Sequence, residues 1–149
     1  MNLTRFTDYG LRTLMYLAVQ DSGRRVTIQD IVDCYDLSKD HVVKVVHRLG
    51  TLGYVDTVRG KNGGIRLALD AAAISVGEVV RSLEPALRPV ECDNPPCRLN
   101  GNCVLRSVMD EAMDAFLAVL DRHTLDELVA SRSRLRAVLG AFDNSAVAV

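Results

Sequence analysis

The sequence predicts a mainly α-helical chain with a small β-hairpin wing, in the form of a winged helix-turn-helix followed by a long dimerisation helix. Three observations carry this. Two short segments of helical period flank a turn at Leu37-Ser38. After Gly53 the period changes to alternation around a glycine-rich tip, and from Val104 to Leu120 a wide apolar stripe returns at helical spacing.

Taken in order, Thr7 to Gln20 reads as a helix, with Leu11, Leu14, Met15, Ala18 and Val19 on one face, and Gly23 breaks it. Thr27-Ile28-Gln29-Asp30 has the pattern of a capped start for a short helix through about Cys34. Ser38 is the expected N-cap of the next helix, which runs to about Leu49 with Val42, Val45, Val46 and Leu49 facing inward. Tyr54–Val58 and Ile65–Leu69 alternate as strands about the tip Arg59-Gly60-Lys61-Asn62-Gly63-Gly64. Ser75-Val76-Gly77-Glu78 opens a short helix through Leu83. Pro85 to Cys103 has no periodicity, and an unstructured stretch in so small a domain is usually functional or disordered. In the Val104–Leu120 helix, Leu105, Val108, Met109, Ala112, Phe116 and Val119 form the stripe, widened by Met113, Leu117 and Leu120. Thr124-Leu125-Asp126-Glu127 starts a final helix that weakens near Gly140, and Asp143 to Val149 reads as a frayed tail. The expected organisation is a DNA-binding unit over 1–83, a cysteine-rich loop over 84–103, the dimerisation and C-terminal helices over 104–142, and a tail over 143–149.

The composition is that of an ordinary folded chain: 149 residues, 48% hydrophobic, 25% charged and only 5% aromatic. The core therefore falls to aliphatic residues. No apolar run reaches the roughly 18–20 residues of a membrane span, and the N-terminus lacks an apolar signal region. The expected location is the cytoplasm, where cysteines serve more often as metal or redox ligands than as staples. No Ser, His and acid combination, phosphate-binding glycine loop or carboxylate pair suggests an enzyme.

A net charge of −1 says nothing about nucleic acid, but its distribution does. Between Ser38 and Arg66, Lys39, Lys44, Arg48, Arg59, Lys61 and Arg66 face only Asp40 and Asp56. Ser38, Lys39 and His41 lie at the N-terminal end of the expected recognition helix, with Lys44 and Arg48 on its outer face. Such a helix presents its N-terminal residues to base edges while basic neighbours hold phosphates. Arg59, Lys61 and Asn62 on the wing tip are placed to reach the adjacent backbone or minor groove. Lys44 and Arg48 would also lie on the solvated face of any amphipathic helix. Turn, helix and basic wing in this order favour double-stranded DNA as the partner, and a single helix-turn-helix binds too weakly for regulation unless it dimerises.

Cys92, Cys97 and Cys103 follow a C-x4-C-x5-C spacing in a loop with two prolines and a glycine. Three thiolates suit zinc or an iron–sulfur cluster, or without metal a redox switch. The absence of a close C-x2-C pair counts against structural zinc. A fourth ligand chosen on chemistry alone would be Glu91, Asp93, His123 or Cys34. Cys34, in an apolar turn, reads better as a buried thiol.

The opening Met1-Asn2-Leu3-Thr4-Arg5-Phe6-Thr7-Asp8-Tyr9-Gly10-Leu11-Arg12, the Leu37-Ser38 turn, the Gly60-Lys61-Asn62-Gly63-Gly64 wing and the cysteine spacing together resemble the iron–sulfur-type winged-helix repressors from Met1 to about Leu120. The spacing favours their nitric-oxide-sensing branch. The cluster-biogenesis branch, a general regulator of iron status, has a wider first gap and a His three residues after the last Cys, where Arg106 stands here. The resemblance implies a homodimer with one cluster per subunit, 4Fe-4S, on Cys92, Cys97 and Cys103, with Asp8 of the partner subunit as fourth ligand. It further implies a repressor that senses nitric oxide through cluster nitrosylation and then releases its operator. From the residues alone, Asp8 is equally a first-turn acid favoured by the helix dipole. A small electron carrier is the remaining rival, and the basic wing tip, which such a carrier does not need, counts against it.

Overall fold

In the computed structural model, residues 2–21, 23–60 and 63–140 are described. The first helix, α1 (Arg5–Ala18), starts two residues before the position its apolar pattern suggests, because Thr4 rather than Thr7 supplies the cap: the Thr4 hydroxyl accepts the Thr7 N–H. α2 (Ile28–Tyr35) carries the full capping box, with Thr27 and Asp30 each accepting the other's backbone N–H. It stops at Asp36, whose φ of 51° is a left-handed conformation that Asp tolerates better than most residues. α3 (Lys39–Thr51) follows. Ser38 stands at the predicted N-cap position with extended backbone, but its hydroxyl makes no capping hydrogen bond.

The end of α3 explains why the first strand is shorter than its alternation suggests. Tyr54 N–H donates to Leu49 C=O and Gly53 N–H to Gly50 C=O, a Schellman closure with Gly53 at φ 79°. Tyr54 is thus committed to the helix, and β1 (Val55–Val58) begins one residue later. β1 pairs antiparallel with β2 (Gly64–Leu67), Val55 opposite Leu67 and Asp56 opposite Arg66. Val26, before α2, adds a single bridge to Ile65 on the other edge of β2, exchanging N–H···O bonds of 3.0 and 2.8 Å. A 3-10 turn at Ala71–Ala73, capped by Asp70, leads to α4 (Val76–Leu83).

Residues 85–103 form turns without helix or strand, as their lack of period predicts. α5 (Val104–Asp121) then runs for 18 residues. The single final helix expected from Thr124 to Gly140 is instead two, α6 (Leu125–Leu128) and α7 (Arg132–Gly140). Val129 and Ala130 bond three residues back, to Asp126 and Glu127, and this tightening ends the α-helical ladder while Val129 becomes fully buried. The frayed tail expected over 143–149 lies outside the described residues.

Two apolar clusters result. The larger joins Leu14, Leu17 and Val19, Ile31 of α2, the inward row Val42, Val45, Val46 and Leu49 of α3, Val55 and Ile65 of the hairpin, and Leu125 and Val129. The C-terminal helices thus pack on the same core as the helix-turn-helix. The smaller holds Val80 of α4 against Met113 and Leu117 of α5, with Phe116 and Leu120 beside them. The flank of the α5 stripe, not its centre, therefore meets α4. Leu105, Val108 and Val119 stay exposed, at 55, 53 and 44%.

Two fully buried threonines on α1 differ in state. The Thr7 hydroxyl donates to Glu84, whereas the Thr13 hydroxyl has no hydrogen-bond partner among the described residues. An unpaired buried hydroxyl costs about 1–3 kcal/mol. Thr13→Val, which keeps the shape and removes that group, is expected to raise stability by about 1 kcal/mol, measured by urea denaturation against the unchanged chain.

Candidate nucleic-acid interface and cysteine loop

The inward row of α3 leaves the opposite face to solvent: Ser38, Lys39, Asp40, His41, Lys44, His47 and Arg48 are all exposed. Ser38 gives α3 no side-chain cap, and the His41 and Val42 N–H groups both donate to its carbonyl, so the start of α3 lies at the same end as Lys39 and His41. Two members of the face have additional partners. His41 stands edge-on to Tyr9 of α1, with ring centroids 6.1 Å apart. Arg48 reaches the Ser82 carbonyl of α4 at 3.4 Å, so it also ties α3 to its neighbour.

Of the wing residues expected to meet DNA, Arg59 is exposed beyond β1, while Lys61 and Asn62 lie outside the described residues. Arg66 pairs with Asp56 across the hairpin at 3.1 Å, so these two charges offset each other and the excess of the segment rests on the other basic residues. The wing's shape rests on its glycines. A Cβ on Gly63 would overlap the Val58 carbonyl oxygen and lie 2.8 Å from that of Gly60. At Gly64, φ is 150° and a Cβ would lie 2.8 Å from the Val26 carbonyl oxygen.

The cysteine loop is held by polar contacts rather than a core. Cys97 N–H donates to Cys92 C=O at 3.0 Å, and Asn100 N–H to Cys97 C=O at 3.1 Å, so the backbone turns back on itself between the first two cysteines. Glu91 accepts the N–H groups of Asp93 and Asn94, Arg88 pairs with Asp93, and Arg106 donates to Asn100 at 2.6 Å. Cys97 is exposed, Cys92 and Cys103 half-buried, and all are free thiols. Among the described residues no three His, Cys, Asp or Glu side chains converge on a point able to hold a metal ion. The donor set nonetheless fits a thiophilic metal group: three accessible thiols, free of disulfides, sit on one segment with almost no apolar burial of its own. Metal binding of this kind couples to folding, so a bound group would add order to such a segment.

Asp8 lies in the first turn of α1, and its carboxylate accepts from Arg12 Nε at 2.9 Å. It stands apart from Glu84, which binds the start of the same helix through Thr4 and Thr7. Cys34 is buried, with its thiol toward the Leu139 carbonyl, and burial pushes it above the ordinary thiol range. That keeps it protonated and unreactive. Next to it, burial first, then Cys34 and Tyr16, push the Tyr35 phenol up to about 12, against an opposing pull from Arg12. At the far end of α5, Arg81 and Asp121 bond through both oxygens at 2.5 and 2.7 Å, which holds the Asp121 carboxyl low and the Arg81 guanidinium high.

The Rrf2 family, described as iron-dependent transcriptional regulators, matches residues 3–131. This chain belongs to the Rrf2 family. The HTH-type transcriptional regulator NsrR of Bacillus licheniformis is 44% identical over 142 residues, covering 93% of this chain and 99% of the relative. NsrR of Bacillus subtilis strain 168 is likewise 44% identical, covering 93% and 97%. Among solved structures, CymR, the global cysteine regulator of B. subtilis, superimposes with a TM-score of 0.73 at 27% identity, over 88% of this chain and 98% of that one. T. potens IscR does so with a TM-score of 0.71 at 25% identity, over 88% of both. The Rrf2 chain is a DNA-binding transcriptional regulator of the NsrR type, on the winged-helix fold that its sequence predicts.

The fold brings Ser38, Lys39, His41 and Lys44 onto one exposed end and keeps Cys92, Cys97 and Cys103 on one loop. It leaves Asp8 on a different element from the cysteines within a single chain. The sequence reading missed two contacts, Tyr9 with His41 and Glu84 with Thr4 and Thr7. The only local signal for the second was the spacing Thr4-x-x-Thr7, which marks a helix start but not what reaches it from 80 residues away.

Gly63→Ala tests the wing. Because the obstructing atoms are backbone oxygens, the hairpin tip must reopen, and operator affinity is expected to fall by about 5- to 150-fold for a strain of about 1–3 kcal/mol. Helical circular dichroism should stay unchanged while a gel-shift titration shows the loss.

Proposed function

We propose that this Rrf2 protein is a cytoplasmic, homodimeric repressor of double-stranded operator DNA that senses nitric oxide through a 4Fe-4S cluster, one per subunit. Cys92, Cys97 and Cys103 would hold the cluster, with Asp8 of the partner subunit as the fourth ligand. The observation that carries this reading is the loop: three free thiols on an accessible segment without a core, in a chain 44% identical over 93% of its length to regulators named NsrR. No helix among the described residues is long and apolar enough to cross a membrane.

When bound, such a cluster supplies iron that nitric oxide attacks, most readily where a hard carboxylate rather than a thiolate holds it. The protein's own residues do the rest. Leu105, Ala112 and Val119 recur at seven-residue spacing on the exposed face of α5, with Val108 three residues after the first, the pattern of a two-helix seam, and supply the surface for a second copy. Asp8 is accessible on α1 and would exchange its Arg12 partner for iron. A ligand lent across subunits ties the cysteine loop of one to the helix that packs on α3 of the other. Losing it would change how the two α3 helices are spaced, and half-sites about 34–36 Å apart tolerate little change. At the operator, Ser38, Lys39 and His41 would face base edges, while Lys44, Arg48, Arg59, Lys61 and Asn62 hold the backbone.

Anaerobic absorbance with nitric oxide titration, followed by gel shift of the same samples, tests the whole reading. The expected result is a visible iron–sulfur band that bleaches with nitric oxide as operator binding is lost. A colourless protein after anaerobic reconstitution, or binding indifferent to nitric oxide, would overturn it.

Cys92→Ala, Cys97→Ala and Cys103→Ala should each abolish the visible absorption, while Cys34→Ala leaves it intact. Bleaching by Cys34→Ala alone would show the ligand assignment to be wrong.

Lys44→Ala and Lys61→Ala should each weaken operator binding and lower the slope of log affinity against log salt by about 0.9. An unchanged slope in both variants would make the basic segment a solvated surface only.

A further inference from the structure

The end of α4 is where the cysteine loop leaves the folded body, and its last residue is unusually engaged. Glu84 follows the helix as its C-cap, with extended backbone. Its carboxylate accepts the Thr4 N–H at 3.1 and 3.3 Å, the Thr4 hydroxyl at 3.1 Å and the fully buried Thr7 hydroxyl at 2.5 Å. The usual N-cap acceptor is already present, since the Thr4 hydroxyl accepts the Thr7 N–H. Glu84 adds a full negative charge at the positive end of α1, from 80 residues away.

We propose that Glu84 is a positioning residue for Asp8, clamping the first turn of α1 to the root of the cysteine loop. This rests on the reading of Asp8 as a cluster ligand. The link is short: the Thr4 carbonyl accepts the Asp8 N–H at 3.0 Å, so the residue that Glu84 grips also sets the turn that carries Asp8. Pro85, the next residue after Glu84, opens the loop. One side chain thus fixes both the carboxylate a subunit lends and the base of the loop on which it receives one. The two residues before Glu84 extend the junction to the recognition helix. Leu83 and Val45 of α3 both lie against Gly10 of α1, and the Ser82 carbonyl accepts from Arg48.

The test uses Glu84→Gln, which keeps size but replaces one acceptor oxygen with a donor, together with Asp8→Ala, the double variant and Glu84→Asp. In the cluster-free protein, amide hydrogen exchange at residues 5–8 should accelerate about tenfold in Glu84→Gln, the effect of losing a charged cap. Exchange in β1, β2 and α5 should stay unchanged, and Glu84→Asp, which keeps the charge, should fall between. After reconstitution, Glu84→Gln should bleach faster in air than the unchanged protein. In an Asp8→Ala background it should add nothing further, because a clamp that acts through Asp8 has nothing left to position. Unchanged exchange at residues 5–8, or bleaching effects that multiply in the double variant, would overturn the proposal. If the unchanged protein takes up no cluster, the ligand role of Asp8 fails, and the positioning role falls with it. Accelerated exchange would then show only a helix clamp.

Discussion

The whole arrangement depends on the burial of α1. It packs against α3, α4, α6 and β2, and it contributes Leu14, Leu17 and Ala18 to a core that lacks Trp and has few aromatics to fill it. Aliphatic side chains must interlock closely to reach native density without large rings. The approach of α4 is correspondingly tight, so that Gly10 lies where any Cβ would overlap Leu83. Every element with a functional part then takes its position from α1. α3 is aimed by it, the hairpin leans on it through β2, and the root of the cysteine loop is bound to its first turn.

Against that rigid body the loop over 85–103 is an energetic exception. None of its residues is fully buried, and apart from Leu87, which touches the α4–α5 cluster, its contacts are mainly turn bonds and solvent-facing ion pairs such as Arg88 with Asp93. Exposed pairs contribute about 0–1 kcal/mol each. A segment with so little intrinsic order is suited to be organised by what it binds, and its ends are anchored where order transmits: Glu84 on one side, the long α5 on the other. A regulator needs this contrast. On the proposed reading, rigid packing would carry a change from the loop to α3, and the weak loop would let a ligand make that change.

Electrostatics reinforce the division. Charges committed to the fold are paired: Arg66 with Asp56 across the hairpin, Arg81 with Asp121 between α4 and α5, Arg136 with Asp21 between α7 and the end of α1. Lys39 and Lys44 lie outward on the N-terminal half of α3, with Asp40 the one acid among them, beside a helix start without a side-chain cap. Although the whole chain is close to neutral, this end offers a local positive surface to an anionic partner.

The sequence by itself determined the helix-turn-helix, the wing and the cysteine group, because each is written in local chemistry. Capping pairs such as Thr27 with Asp30, the row Val42, Val45, Val46 and Leu49, and glycines such as Gly63 that only a Cβ-free residue can satisfy all act within a few positions. What the tertiary structure decided is everything that depends on contacts across the chain. The α5 stripe could be read as apolar, but only packing shows that Met113 and Leu117 cover α4 while Leu105 and Val108 remain outside. The final helix could be read as continuous, yet burying Val129 tightens its first turn and splits it. Glu84 could be read as an ordinary helix-end acid, until folding brings Thr4 and Thr7 to it. Helical and strand periods report the face a residue occupies, and nothing in a period records which distant element that face will meet.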